Sequence, residues 1–269
     1  MGIRSVLCIA IVAFTASAGG SIAAVAATGG GQPATPRSAV RAAALAPVDT
    51  STEAKFTAIT PCRLVDTRNG GGIVAAGSPR TFTATSADLS AQGGRAGGCD
   101  IPTASTAIQA NVVAVGAAGS GFLKVYPTGV TPPLASYLNF RDGRAIANGG
   151  VITLDAVNGQ SFTVSASRSS HVVVDVTGYF VPPMWARVTG DGALVRGSRV
   201  TGVTPLKTGA YQVDFDRDVS HCLFQVTPVG ANVFLRAAPR LADATGVFVY
   251  FEDSSQSAAN TAFFLGVTC

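Results

Sequence analysis

The residues best suited to chemistry sit in two short blocks. One is Arg63-Leu64-Val65-Asp66-Thr67-Arg68 and the other is the ten-residue run HVVVDVTGYF, His171 to Phe180. Side chains alternate along an extended strand. His171, Val173, Asp175, Thr177 and Tyr179 are therefore expected on one face, with Val172, Val174, Val176 and Phe180 on a core face. A histidine and a carboxylate on one face suit acid–base work. Four residues of extended chain, however, put His171 and Asp175 about 13 Å apart, beyond a direct orienting hydrogen bond. A hydrolase would have to assemble its site across strands, around His171 with Asp66 or Asp175, and this is the alternative function. Asp66-Thr67-Arg68 departs from the Asp-Ser/Thr-Gly of aspartic proteases at its third place. A guanidinium there holds a carboxylate ionised rather than letting two carboxylates share a proton. The favoured expectation is a polar cluster of Arg63, Asp66, Arg68, His171 and Asp175 that ties strand ends together.

Other chemistries lack essential parts. No Gly-x-Ser-x-Gly elbow occurs, and the only histidines are His171 and His221, the latter beside Cys222. Gly116 to Gly121 reads GAAGSG but has Phe122 where a phosphate loop needs lysine, so a hairpin turn is expected there. No Cys-x-x-Cys pair exists, and no metal or other cofactor is expected. Asp214, Asp216 and Asp218 would share a strand face; a solvated strand end beside Arg217 is favoured there over a calcium site, since the glycine and glutamate of an EF-hand loop are missing. Tyr126, Tyr137 and Tyr179 are the candidate ligand contacts, since sugar rings stack on exposed aromatics. Trp185 follows a Pro182-Pro183 break and is expected to pack at a domain junction.

The elements that must position these residues are strands. From Lys55 to Val181 short alternating segments follow one another, separated by Gly, Pro, Asn-Gly and Asp-Gly turn residues, and no helical period intervenes. Asn158-Gly159 reads as the clearest hairpin. A second β series runs from Trp185 to Cys269. The fold class is all-β: an antiparallel β-sandwich or jelly-roll-like domain over 55–182, then a smaller β-sandwich over 185–269.

Charged residues make up 13% of the chain, about half the usual share of roughly 25%. The formal net charge of +4 is too weak for nucleic-acid capture. Arg4, the apolar run Val6 to Phe14 and Ala24-Val25-Ala26 have the form of a signal peptide over 1–26, interrupted too early by Thr15, Ser17 and Gly19 to span a membrane. Residues 27–54 read as a flexible Ala/Gly/Pro-rich linker. Loss of Cys8 with the leader leaves Cys62, Cys99, Cys222 and Cys269 for an oxidising compartment. Of three pairings, Cys62–Cys99 and Cys222–Cys269 follow if each half folds alone.

Phe56 onward reads FTAITPCRLVDTRNGGG, then GFLKVYP, then SYLNFRDGRAIAN, and closes on HVVVDVTGYF. This resembles a β-rich module of secreted actinobacterial and other bacterial proteins, with the pattern P-x-R-L-x-D-T-R, G-F-L-T-V-Y-P, S-x-x-N-F-x-x-G and H-V-x-V-D-V-x-G-Y-F. A further block, A-V-x-x-N-V-T, matches Ala107 to Val113; Val113 there and Lys124 stand where the pattern favours threonine. Residues Gly209 to Phe215 and Val219 to Cys222 are similar to short C-terminal β domains of secreted bacterial proteins. The resemblance implies an extracellular or cell-surface module with no assigned reaction. The expected ligand is cell-wall polysaccharide or another extracellular protein.

Overall fold

The structure is a computed structural model that describes residues 53–230 and 232–269. The leader expected over 1–26, and all but the last two residues of the linker expected over 27–54, lie outside the described residues. Apart from one 3-10 turn at Ser90–Gln92, the regular structure described is all β.

The first eight strands are β1 (Lys55–Asp66), β2 (Arg80–Thr83), β3 (Ala107–Val115), β4 (Gly121–Pro127), β5 (Leu138–Phe140), β6 (Ile146–Thr153), β7 (Ser161–Ala166) and β8 (His171–Val181). They form two four-stranded antiparallel sheets, ordered β1-β8-β3-β6 and β2-β7-β4-β5. The pairs β1–β8, β2–β7, β3–β6 and β4–β5 are successive rungs of one long antiparallel ribbon, rolled so that alternate rungs join alternate sheets. That is jelly-roll topology. Leu64, Ile108, Val112, Leu123, Phe162, Val172 and Val174 fill the space between the sheets and are fully buried. Each contributes roughly 2 kcal/mol of transfer free energy.

Rolling the ribbon corrects two local expectations. The Asn158-Gly159 segment and the GAAGSG segment do turn, but neither makes a hairpin. Each carries the chain from one sheet to the other, because the strands they join, β6 to β7 and β3 to β4, bury opposite walls of a common core. One antiparallel bridge between Asp155 and Ser161 closes the first of these crossings.

A third correction concerns β8 itself. Along β3 the register runs Gln109 to Gly178 and then Ala110 to Val176, so Thr177 is an extra, bulged residue. Alternation reverses beyond it. Val172, Val174 and Val176 face the core as expected, but Tyr179 packs against that core while Phe180 turns outward. There Phe180 meets Phe56 with ring centroids 5.1 Å apart, and Phe56 lies across Gly178, where a Cβ would fall 2.3 Å from its ring. On the edge strand β1, Pro61 falls within a second irregularity, between Ala58 and Cys62, where its missing N–H breaks no ladder bond.

The remaining strands are β9 (Met184–Val188), β10 (Leu194–Ser198), β11 (Val200–Lys207), β12 (Ala210–Phe215), β13 (Leu223–Pro228), β14 (Phe234–Arg240), β15 (Asp243–Glu252) and β16 (Phe263–Thr268). They form a second pair of antiparallel sheets, ordered β10-β9-β16-β13 and β11-β12-β15-β14. Pro205, Pro228 and Pro239 all stand on edge strands, where a missing donor is tolerated. Tyr211, Phe215, Phe251, Phe263 and Leu265 fill a second core, separate from the first.

Both disulfides are present. Cys62–Cys99 ties β1 to the loop before β3, and Cys222–Cys269 ties the start of β13 to the end of β16. They close loops of 37 and 47 residues. Among the described residues no helix is long and apolar enough to cross a membrane.

Candidate functional site

The pairing of β1 with β8 places Arg63 directly opposite Asp175, and this register brings four residues of the expected cluster together. Arg63 Nε donates to Asp175 Oδ1 at 2.5 Å and its Nη2 to Oδ2 at 3.3 Å, while its Nη1 reaches Asp66 Oδ2 at 2.8 Å. Arg68 grips the same aspartate from the other side, with Nε to Oδ1 at 2.8 Å, Nη2 to Oδ2 at 2.6 Å and its backbone N–H to Oδ1 at 3.1 Å. Asn69 Nδ2 donates a further bond at 3.3 Å. The Asp66 main-chain oxygen accepts the N–H groups of Asn69 and Gly70, so the turn after β1 is built around one residue. Glycine is required where the 3-10 loop packs on this turn. A Cβ on Gly93, whose φ is +75°, would lie 2.0 Å from the Asp66 main-chain oxygen.

Exposure separates the members of this cluster. Asp66 is 1% exposed, whereas the Arg63 and Arg68 side chains are 40% and 47% exposed. The hydrogen bonds from Arg68, backed by both guanidinium charges, outweigh the cost of burial and hold the Asp66 carboxyl at about 2, against 3.8 for a free aspartate. A carboxylate that acidic is a poor proton acceptor near neutrality, and one with five donors around it has no lone pair directed at a substrate. The arrangement pins the strand end.

The sign of the pH effect follows. Asp66 stabilises the fold fully above its unfolded value near 3.8, and that contribution disappears as pH falls through its folded value of about 2. The difference in unfolding free energy between the native protein and Asp66→Asn should therefore shrink by about 2 kcal/mol between pH 5 and pH 2. Denaturant titrations of both proteins across that range measure it. A constant difference would show that the carboxylate is not the titrating group.

His171 stands apart from the carboxylates of the cluster. Its Nδ1 lies 3.1 Å from Thr67 Oγ1, which also accepts the Val172 N–H at 2.8 Å. Thr67 N–H donates in turn to the Val172 carbonyl, extending the β1–β8 ladder past Asp66. The Thr67 hydroxyl touches a histidine, as a nucleophile would, but Thr67 is wholly buried and out of a substrate's reach. His171 thus meets the expected polar cluster through Thr67 and not through a carboxylate, capping the rung beside it.

Tyr126, offered as a stacking surface, is only 7% exposed on the outer side of β4. Tyr137 packs on the first core and directs its hydroxyl to the Ala110 carbonyl at 3.4 Å. Tyr179 keeps access to solvent in a cleft near the end of β8. Trp185 is half-buried on β9, paired with Ser198 and Gly266 and outside both cores. The three aspartates do not share a face, because β12 ends before Asp216 and each finds its own partner: Asp214 takes Gln212, Asp216 takes Arg199, and Asp218 caps Ser220. Among the described residues no group of three or more His, Cys, Asp or Glu is arranged to hold a metal ion.

An aromatic surface was legible but passed over. In Val247-Phe248-Val249-Tyr250-Phe251 the odd-numbered residues are fully buried, so Phe248 and Tyr250 point away from the core. Their rings lie 6.3 Å apart and within 16° of parallel, with Lys207 Nζ 5.7 Å from the Tyr250 ring. A polar network borders them: Arg240 donates to Gln212, across from Phe248, and Gln212 donates to Asp214 and Asp243 at 2.7 and 3.3 Å. No protein-family model and no curated protein matches the chain.

Proposed function

We propose that the protein is a secreted, non-catalytic surface module that holds cell-wall polysaccharide. The observation that carries this reading is the Phe248–Tyr250 pair on an outer sheet face, with planar amide, guanidinium and carboxylate groups beside it. Such a surface offers ring faces to the C–H side of a sugar and both donors and acceptors to its hydroxyls. The apolar leader, the two disulfides and the resemblance of residues 56–180 to a secreted module support export. The saturated Asp66 and the buried Thr67 favour binding over hydrolysis.

The test is retention of the purified chain on insoluble wall polysaccharide and peptidoglycan stripped of protein. Retention is expected, falling roughly tenfold in the double variant Phe248→Ala/Tyr250→Ala, since two stacked rings contribute about 1.4 kcal/mol or more. Absence of retention on either material overturns the glycan reading, and retention confined to protein-bearing wall would assign a protein partner instead.

A further inference from the structure

Where β8 turns through Pro182 and Pro183 into β9, a cleft of about 420 Å³ opens. That volume is within the range of roughly 300 to 1,000 Å³ typical of small-molecule sites. Tyr179, Pro182 and Pro183 make its apolar side. Tyr179 reaches it because the Thr177 bulge shifts the alternation of β8. Lys55, Arg217 and Asp218 bring charge, and Thr57, Thr103 and Thr268 also line it.

The framework of this cleft is tightly held. The Arg199 guanidinium, only 10% exposed, closes on Asp216 through bonds of 2.8 to 3.1 Å. Arg199 itself has a φ of +63°, a conformation that non-glycine residues rarely adopt and that persists where surrounding structure imposes it. Lys55 Nζ donates to the Cys269 main-chain oxygen at 2.8 Å, and the Cys222–Cys269 disulfide anchors that wall. The turn that supplies Thr103 also contains Ser105, whose hydroxyl is buried without a partner.

We infer that this cleft binds a short carbohydrate. A sugar hydroxyl both donates and accepts, so its site needs groups of each kind together with a flat apolar surface for the ring. Here Arg217 and the remaining Lys55 N–H groups donate, the Asp218 oxygen not taken by Ser220 accepts, the threonines do both, and Tyr179 with the two prolines supplies the surface. An apolar ligand would leave the charged groups without partners. The inference rests on the glycan reading above and adds a second site, remote in sequence from Phe248 and Tyr250, suited to a chain end or a single short unit. Two sites on one module would raise retention on a repeating polymer through effective concentration.

A printed array of short neutral and acidic saccharides, probed with the full chain, tests it. In the Phe248→Ala/Tyr250→Ala background, which removes the other proposed carbohydrate surface, the chain should still bind at least one saccharide, and Thr103→Trp should weaken that signal at least tenfold by filling the cleft. Arg217→Ala, at an exposed position, should weaken it severalfold and serves if Thr103→Trp does not fold. A blank array, or a signal that neither cleft variant changes, overturns the inference. Wall retention is measured in parallel: if it persists in either of those cases the cleft assignment alone fails, and if it is absent the glycan reading fails.

Discussion

Replacing Asp66 with asparagine will destabilise the first sandwich by about 3 kcal/mol at neutral pH. Removing one partner of a buried ion pair costs roughly 3 to 5 kcal/mol, chiefly because the remaining charge is left desolvated. Here the carboxylate is inside and both guanidiniums are about half in water, so Arg63 and Arg68 can turn outward and the cost belongs at the lower end. Asparagine keeps one acceptor oxygen for the Arg68 backbone N–H but presents an amide donor where Asp66 Oδ2 took Arg63 Nη1, Arg68 Nη2 and Asn69 Nδ2. The loss should be regional. Amide hydrogen exchange should rise in β1, β3 and β8 and stay unchanged in β12, β15 and β16, whose core is separate. A loss below about 1 kcal/mol, or one spread evenly over both cores, would show that the cluster is not what pins β1 to β8.

Opening the second disulfide, as Cys222→Ser/Cys269→Ser, should cost about 4 kcal/mol on the chain-entropy model for a 47-residue loop. A whole domain is commonly stable by only about 5 to 15 kcal/mol, and the second core is the smaller of the two. The edge strand β13 and the end of β16 that it pairs with should fray first. Leu223 pairs with Thr268 next to the bridge, and Phe263 and Leu265, on the same strand, are part of that core. Exchange of the Leu265 and Val267 amides, followed with and without reductant in the native protein, checks this. Equal protection in both states would mean that packing alone holds the end of β16. The Cys62–Cys99 bridge, with its 37-residue loop, should give a similar loss confined to the first core.

The parts of this fold that depend on near neighbours were readable from residue types. Alternation in residues 171–176, the turn chemistry of Asn158-Gly159 and the segregation of cysteines into halves all follow from the local chain. What depends on register was not. The Arg63–Asp175 pair spans 112 residues and exists only because β1 and β8 align with Arg63 opposite Asp175. The bulge at Thr177 exchanged the roles of Tyr179 and Phe180, and its one local signal was Gly178, since a glycine inside a strand marks a bulge or a close approach without saying which. The destination of the turns after β3 and β6 was equally hidden, because a two-sheet crossing and a hairpin use the same turn residues. Tyr126 misled for a different reason: it does leave the core face, yet it is buried all the same. Phe248 and Tyr250 obey simple alternation and were within reach.

The rolled ribbon also governs how this chain can fold. Its first strand is an edge whose only sheet neighbour is the eighth, so β1 waits for nearly the whole of the first half to be made before it has a partner. Pairings of such high contact order close slowly, on the scale of milliseconds to seconds, and expose strand edges while they wait. The Cys62–Cys99 bridge joins β1 to a segment far nearer in the chain than β8 is. It can therefore act as an early clasp, holding the turn that carries Asp66 near its packing loop until the last strand arrives to receive Arg63.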